Sequence, residues 1–349
     1  MNKSENKFKT LNKIYHLVSF DRLTGGAQVA YLWHKALLNE GIESYFFYKG
    51  GYKLQEKIKN EKNTIPYFNI FDKVLKILKI PKNSFVIAHL SEDHWLSFFL
   101  KKREKRIIVF HNKKTLRNDI FHKLIYKKKQ KVIFAYNLKE KPNFNKYKVF
   151  LPVYDQKIFY QGNQPNEILN ICTIGKLEKE REHHKFLFLC NEIKKLNFPF
   201  KGYVIGKGKY LQNLKKLKDD LNLKEIEFLG YFEDEELAKI LRKMDFLVWI
   251  SPGSQQSHRA LLEGILCGAV ACSFEMEGIE FWIENGKTGI IISKNLNSSA
   301  IEIIETFKDK EKYKKLRENS YKEALKKMNQ ENFSLEFLKF LYEDTSGSP

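Results

Sequence analysis

The sequence predicts an α/β protein made of two doubly wound, Rossmann-like halves, each a parallel sheet flanked by helices. Three observations carry this. Short apolar runs alternate with stretches at helical period. The alternation pauses after Pro152, where YDQKIFYQGNQP holds turn residues and no helical period, and then restarts. The 349 residues also fit two domains of roughly 100–200 residues each. The boundaries implied are 1–155, 156–330 and a last segment 331–349. Its helix is expected to pack back toward the first half, ahead of a disordered DTSGSP tail.

Residues 13–20 (KIYHLVSF) read as a buried strand, and 27–39 as the helix that follows. Further strands are predicted at 43–47, 85–89, 106–111, 131–136 and 149–152. In the second half they fall at 169–174, 202–205, 226–229, 246–250, 269–273 and 289–292. Helical sequence closes the chain at 308–327 and 332–343. Ligands of open α/β sheets bind outside the carboxyl ends of the strands. Chemistry is therefore expected at strand exits, around a cleft between the halves.

Charge narrows the partners. Lys and Arg number 62 against 42 Asp and Glu, a formal +20, which points to nucleic acid, a membrane surface or a phosphorylated substrate. Residues 101–148 hold 17 Lys and Arg against Glu104, Asp119 and Glu140, so most of the excess is local. Lys, Asn, Ile and Phe are abundant throughout, however, and a solvated basic face is the bland alternative. No zinc knuckle, RNP aromatic motif or basic zipper accompanies the charge, so no nucleic-acid partner is expected. A hydrophobic content of 43% excludes wholesale disorder. Cys172, Cys190, Cys267 and Cys272 show no CxxC spacing, so neither a metal site nor a disulfide framework is expected, and a cytoplasmic location fits. The polar start is no signal peptide, and no apolar run approaches the ~18–20 residues that span a bilayer.

Four stretches could carry chemistry. Gly25-Gly26 stand between a strand and a helix, where glycine lets a phosphate approach the backbone; the alternative is a loop needing positive φ. His111 ends the strand RIIVFHN and is either structural or catalytic, with His89 and His16 as weaker rivals. Lys176 and Arg181 follow the strand ending at Gly175, where two cations could clamp a diphosphate or simply be solvated. Ser257, His258 and Arg259 precede a short apolar helix containing Glu263, opened by the amides of Ser257–Ala260. Its first amides could hold an anion, and its buried carboxylate needs a partner such as a ligand hydroxyl.

Taken together, six blocks resemble glycosyltransferase family 4, retaining nucleotide-sugar enzymes of the GT-B fold. They are GKLEKER (175–181), YVIGKG (203–208), FLGYF (228–232), MDFLVWISP (244–252), RALLEGILCG (259–268) and ENGKTG (284–289). The resemblance spans about 13–293 and includes the Gly-Gly loop, the VFHN histidine and LPVYDQKIF (151–159). It implies that Gly25 and Gly26 approach the donor diphosphate, that Gly206 belongs to the donor site and that His111 lies by the reacting sugar. Lys176 and Arg181 would stabilise phosphate without a metal or other cofactor. Tyr231 would help bracket the base, with Gln255, His258, Arg259 and Ala260 around the donor and Glu263 on the ribose.

This sequence departs from the family at Gln255, where the first glutamate of a Glu-x7-Glu pair is usual, at His258, where glycine is usual, and in GIEFWIENG (278–286), which lacks the common Pro-Glu. The expected function is sugar transfer from a nucleotide diphosphate sugar, UDP favoured over GDP, to a glycan or lipid-linked hydroxyl in bacterial surface glycan assembly. An inactive sugar-nucleotide-binding partner subunit is the rival that Gln255 and His258 keep open. Residues 95–100 (WLSFFL) run into KKREKR (101–106), an apolar-aromatic patch beside cations, so peripheral docking on an anionic membrane is also expected.

Overall fold

A computed structural model describes residues 13–20, 25–100, 102, 105–113, 116, 119–126, 130–163, 165–250, 258–276 and 278–343. The chain divides into two units: Met1–Tyr154 with Met328–Pro349, and Asp155–Lys327.

Unit one is a seven-stranded sheet in the order β3-β2-β1-β4-β5-β6-β7, every pair parallel. The strands are β1 (Ile14–Val18), β2 (Ser44–Lys49), β3 (Thr64–Tyr67), β4 (Phe85–Ala88), β5 (Arg106–Phe110), β6 (Lys131–Phe134) and β7 (Lys146–Val149). β1, β4, β5 and β6 are buried at every position, as the mostly apolar strands of a helix-covered parallel sheet must be, with His16, Arg106 and Lys131 as their buried polar members. Helices α1 (Gly25–Asn39) and α2 (Lys53–Ile58) pack on one face. Helices α3 (Ile70–Leu78), α4 (Ser91–Leu100) and α5 (Ile120–Ile125) pack on the other.

Two elements differ from the sequence reading. β3 was not anticipated: TIPY contains Pro66, which argues against a strand, but β3 lies at the sheet edge, where a missing N–H is tolerated. The strand expected at 149–152 is β7, ending at Val149. KYKV looks too polar for a strand, yet half-buried lysines suit an edge.

The last helix, α12 (Phe333–Tyr342), belongs to unit one. Phe333, Phe337, Leu338, Phe340 and Leu341 share a core with Trp33, Val109 and Phe150. Lys131 is buried and donates to the carbonyls of Phe340 (3.1 Å), Leu341 (2.8 Å) and Glu343 (2.5 Å), placing a cation at the negative end of the helix.

Unit two is a six-stranded parallel sheet, β10-β9-β8-β11-β12-β13. Its strands are β8 (Leu169–Ile174), β9 (Phe200–Ile205), β10 (Ile226–Gly230), β11 (Phe246–Trp249), β12 (Val270–Phe274) and β13 (Ile290–Ile292). The helices are α6 (His184–Lys195), α7 (Leu211–Asp220), α8 (Asp234–Leu241), α9 (Arg259–Leu266), α10 (Leu296–Lys308) and α11 (Lys310–Met328). Both sheets reverse strand order beside their first strand, the doubly wound Rossmann pattern. Each therefore has a switch point, between β1 and β4 in unit one and between β8 and β11 in unit two. No helix among the described residues is long and apolar enough to cross a membrane.

Candidate functional site

In unit one the candidate groups gather at the exits of β1, β4 and β5. Helix α1 starts at Gly25 itself, so Gly25 and Gly26 form its first turn rather than a loop before it, and neither has positive φ. Gly26 is needed for closeness. A Cβ there would meet Phe20 Cζ at 2.7 Å and His111 Cγ at 3.1 Å, so the opening of α1 lies directly against the His111 ring.

His111 does not stand alone. Its Nε2 lies 3.0 Å from His89 Nδ1, and His89 Nε2 lies 3.0 Å from His16 Nδ1. The three rings stack successively at 5.2 and 5.3 Å, with Trp33 flanking His89 and His111. Burial pushes the His111 pKa down to about 3 and those of His89 and His16 well below the usual imidazole value. All three are neutral near pH 7. Rivals for one role in the sequence, the three histidines form a single chain in the fold.

Sequence reading also missed a polar cluster behind the β1 exit. The Asp93 carboxylate accepts from Ser19 N (3.2 Å) and Ser19 Oγ (2.6 Å), and pairs with Lys73 Nζ at 2.6 Å. Glu92 adds a second carboxylate at 2.8 Å, and Tyr67 OH donates to Ser19 Oγ. Burial pulls the Lys73 pKa down, but Asp93, Tyr67 and Glu92 together more than reverse it and hold the ammonium charged. A second chain, Asp119–His122–Ser91, ties the loops after β5 and β4 at 2.7 and 2.6 Å.

In unit two the candidate groups gather at the exits of β8, β9 and β10. Gly206 N donates to Gly230 O and Gly175 N donates to Ile205 O, zipping the three strand ends together. A Cβ on Gly206 would lie 1.8 Å from Gly175 O, and one on Gly208 would lie 2.1 Å from Leu177 O, so both positions exclude a side chain. Lys176 is exposed just past β8 and pairs with Glu178 at 2.9 Å. Arg181 lies in the 3₁₀ turn Lys179–Arg181, and with Lys176 and Lys209 it helps hold the Glu178 carboxyl below its usual range, after the Lys176 hydrogen bond. Lys207, not singled out from sequence, sits 4.2 Å over the Tyr231 ring. The Tyr231 hydroxyl donates to Glu233, and Tyr231 itself is exposed.

Gln255 lies outside the described residues. His258 is buried near Trp249 and Trp282 at φ +36°, a left-handed conformation, at the position where glycine is usual in the family it resembles. Burial lowers its pKa to about 4. Its side chain does not cap α9, whose first turn holds Arg259 and Ala260. Arg259 Nη2 donates to Glu263 Oε1 at 2.7 Å, so the buried carboxylate has a protein partner besides any ligand. Among the described residues no group of three His, Cys, Asp or Glu is disposed to hold a metal ion.

Residues 155–323 match the family model described as glycosyl transferases group 1. A relative described as an uncharacterized glycosyltransferase of Methanocaldococcus jannaschii is 31% identical over 159 residues, which cover 45% of this chain and 44% of that protein. The chain thus spans less than half the length of that curated relative. The Anabaena protein HepE, crystallised with UDP and glucose, superposes with a TM-score of 0.75 at 12% identity, over 95% of this chain and all of that one. A glycosyltransferase of Rickettsia africae superposes with a TM-score of 0.74 at 17% identity, over 97% of this chain and all of that one. The fold is that of the GT-B glycosyltransferases: two parallel-sheet Rossmann-like domains.

Proposed function

We propose that the protein is a retaining family 4 glycosyltransferase. It would move a hexosyl group from a UDP-sugar to a hydroxyl of a glycan or lipid-linked acceptor in bacterial surface glycan assembly, on the cytoplasmic side of the membrane. One observation carries the reading most. The exits of β8, β9 and β10 join three cations, Lys176, Arg181 and Lys207, to glycine backbone that admits no side chain. Such an edge suits a diphosphate, and it lies within the residues that match the group 1 model. HepE, of like fold, was crystallised with UDP and with UDP-glucose.

In the proposed reaction the bond between the sugar's anomeric carbon and the diphosphate oxygen breaks, and a bond to the acceptor oxygen forms on the same face. Negative charge grows on the departing diphosphate, where Lys176, Arg181 and the first amides of α9 stabilise it without a metal. The acceptor proton passes to the leaving phosphate. Tyr231 offers a ring beside the base, and Glu263 a carboxylate oxygen to the ribose. His111 is assigned to the reacting sugar by resemblance.

A thermal-shift series with UDP, GDP, CMP and their sugar conjugates tests the donor, since a ligand that binds only the folded state stabilises it by RT ln(1 + [L]/Kd). UDP should give the largest shift. No shift with any nucleotide would sink the reading, and a product of inverted anomeric configuration would remove the retaining step. EDTA should leave the rate unchanged.

A further inference from the structure

Helix α3 is apolar on two sides but buried on one. Ile77 packs inward with Tyr15, Leu17 and Val86. On the outer side Phe71, Leu75 and Leu78, spaced i, i+4 and i+7, are 79%, 60% and 59% exposed, and Phe68 just before the helix is 60% exposed. Phe99 of α4, packed on the same face of the sheet, is 71% exposed. A contiguous helical stripe of this kind marks a contact surface rather than scattered surface apolars.

The charge around the stripe is positive. Lys79 and Lys82 follow α3 directly and are exposed. The helix's only acid, Asp72, is neutralised by Lys76 at 2.9 Å. Unit one holds 33 Lys and Arg against 16 Asp and Glu, a formal +17 of the chain's +20. We propose that the outer side of α3, continued by Phe99, is the surface on which the protein lies on an anionic bilayer, with Phe71, Leu75 and Leu78 at the acyl boundary and Lys79 and Lys82 among the headgroups. A second copy is the poorer occupant, because it would bring another strongly cationic unit to the contact.

The patch expected at residues 95–106 is described only in part, since Lys101, Arg103 and Glu104 lie outside the described residues. Within α4, Ser97 is buried and Trp95, Leu96 and Phe98 are half-buried, so helical periodicity turns most of that run inward and leaves Phe99. The docking would hold a lipid-linked acceptor beside the enzyme of the proposed function, but it is measured without sugar transfer.

The test is co-sedimentation with vesicles of mixed phosphatidylglycerol and phosphatidylcholine, and with phosphatidylcholine alone. The wild type should bind the anionic vesicles, less in high salt, and bind the neutral ones weakly. Phe71→Ser with Leu75→Ser should cut anionic binding about tenfold or more, since each side chain loses an apolar burial. Lys79→Gln with Lys82→Gln should reduce binding and its salt dependence. Both variants should keep the wild-type melting temperature and UDP shift. No wild-type binding would overturn the proposal, as would full binding by the serine variant. So would a wild-type dimer in light scattering that the serine variant makes monomeric, which would assign the stripe to self-association.

Discussion

His89 holds the middle of a chain, with its Nδ1 3.0 Å from His111 Nε2 and its Nε2 3.0 Å from His16 Nδ1. At the far end, His16 Nε2 is buried and has no hydrogen-bond partner among the described residues. A buried N–H without an acceptor is rarer than an acceptor without a donor. The chain therefore runs from His16 Nδ1–H to His89 Nε2 and from His89 Nδ1–H to His111 Nε2. His111 then carries its proton on Nδ1 and acts as a donor, not a base. Nitrogen-15 shifts should report a protonated Nδ1 and a bare Nε2 on His111. The opposite tautomer would reverse the chain. His89→Phe should free the His111 tautomer and lower kcat by up to about tenfold, the worth of one hydrogen bond.

Acid should weaken unit one through the same rings. His16 and His89 have folded pKa values well below 6.5, so below about pH 6.5 the unfolded chain binds protons that the folded chain does not. Stability is then lost as pH falls, by up to ~1.4 kcal/mol per pH unit for each ring. Melting temperatures measured from neutral to mildly acidic pH should fall, and less steeply in His89→Phe.

The cation clamp predicts large kinetic losses with little structural cost. Lys176→Ala and Arg181→Ala should each cut turnover about 10²-fold or more. Lys176 is exposed, so its variant should melt with the wild type. Near-wild-type rates in both would remove diphosphate stabilisation from this edge.

Glu263 and Arg259 separate binding from stability. Arg259→Ala leaves a buried carboxylate without its 2.7 Å partner and should cost about 1–3 kcal/mol of stability. Glu263→Gln keeps the shape and should chiefly raise the donor KM. If the donor KM stays put while the melting temperature drops, Glu263 only anchors α9.

Gly206→Ala would place a Cβ 1.8 Å from Gly175 O, a side-chain atom against unyielding backbone. Nucleotide shifts should disappear, and the melting temperature should fall by several degrees. The same substitution at Gly41, where no heavy atom lies within 4 Å of a built Cβ, should show only the cost of its positive φ.

Strands buried on both faces were legible from sequence, because they leave a nearly continuous apolar run, as in β4 and β5. Edge strands were not, because Pro66 and the lysines of KYKV are tolerated where one side of the ladder is open. Motif residues at strand exits were legible one at a time. Their partnerships were not: His16 and His89 are 73 residues apart, and Ser19 and Asp93 are 74. Nothing local encodes such meetings; the strand order brings them together. The stripe on α3 carries a helical period, but period alone does not tell which side of an apolar helix finds a core.

The return of α12 to unit one sets an order for synthesis. Trp33, Val109 and Phe150 leave the ribosome early, but Phe333, Phe337 and Phe340, which complete their core, emerge only after all of unit two has been made. Unit two holds its whole sheet and core in one unbroken stretch and can fold as it emerges. Unit one must wait with an open apolar face, so the half translated first is the half that matures last. A nascent chain stalled before α12 should be protease-resistant in unit two and cut in unit one.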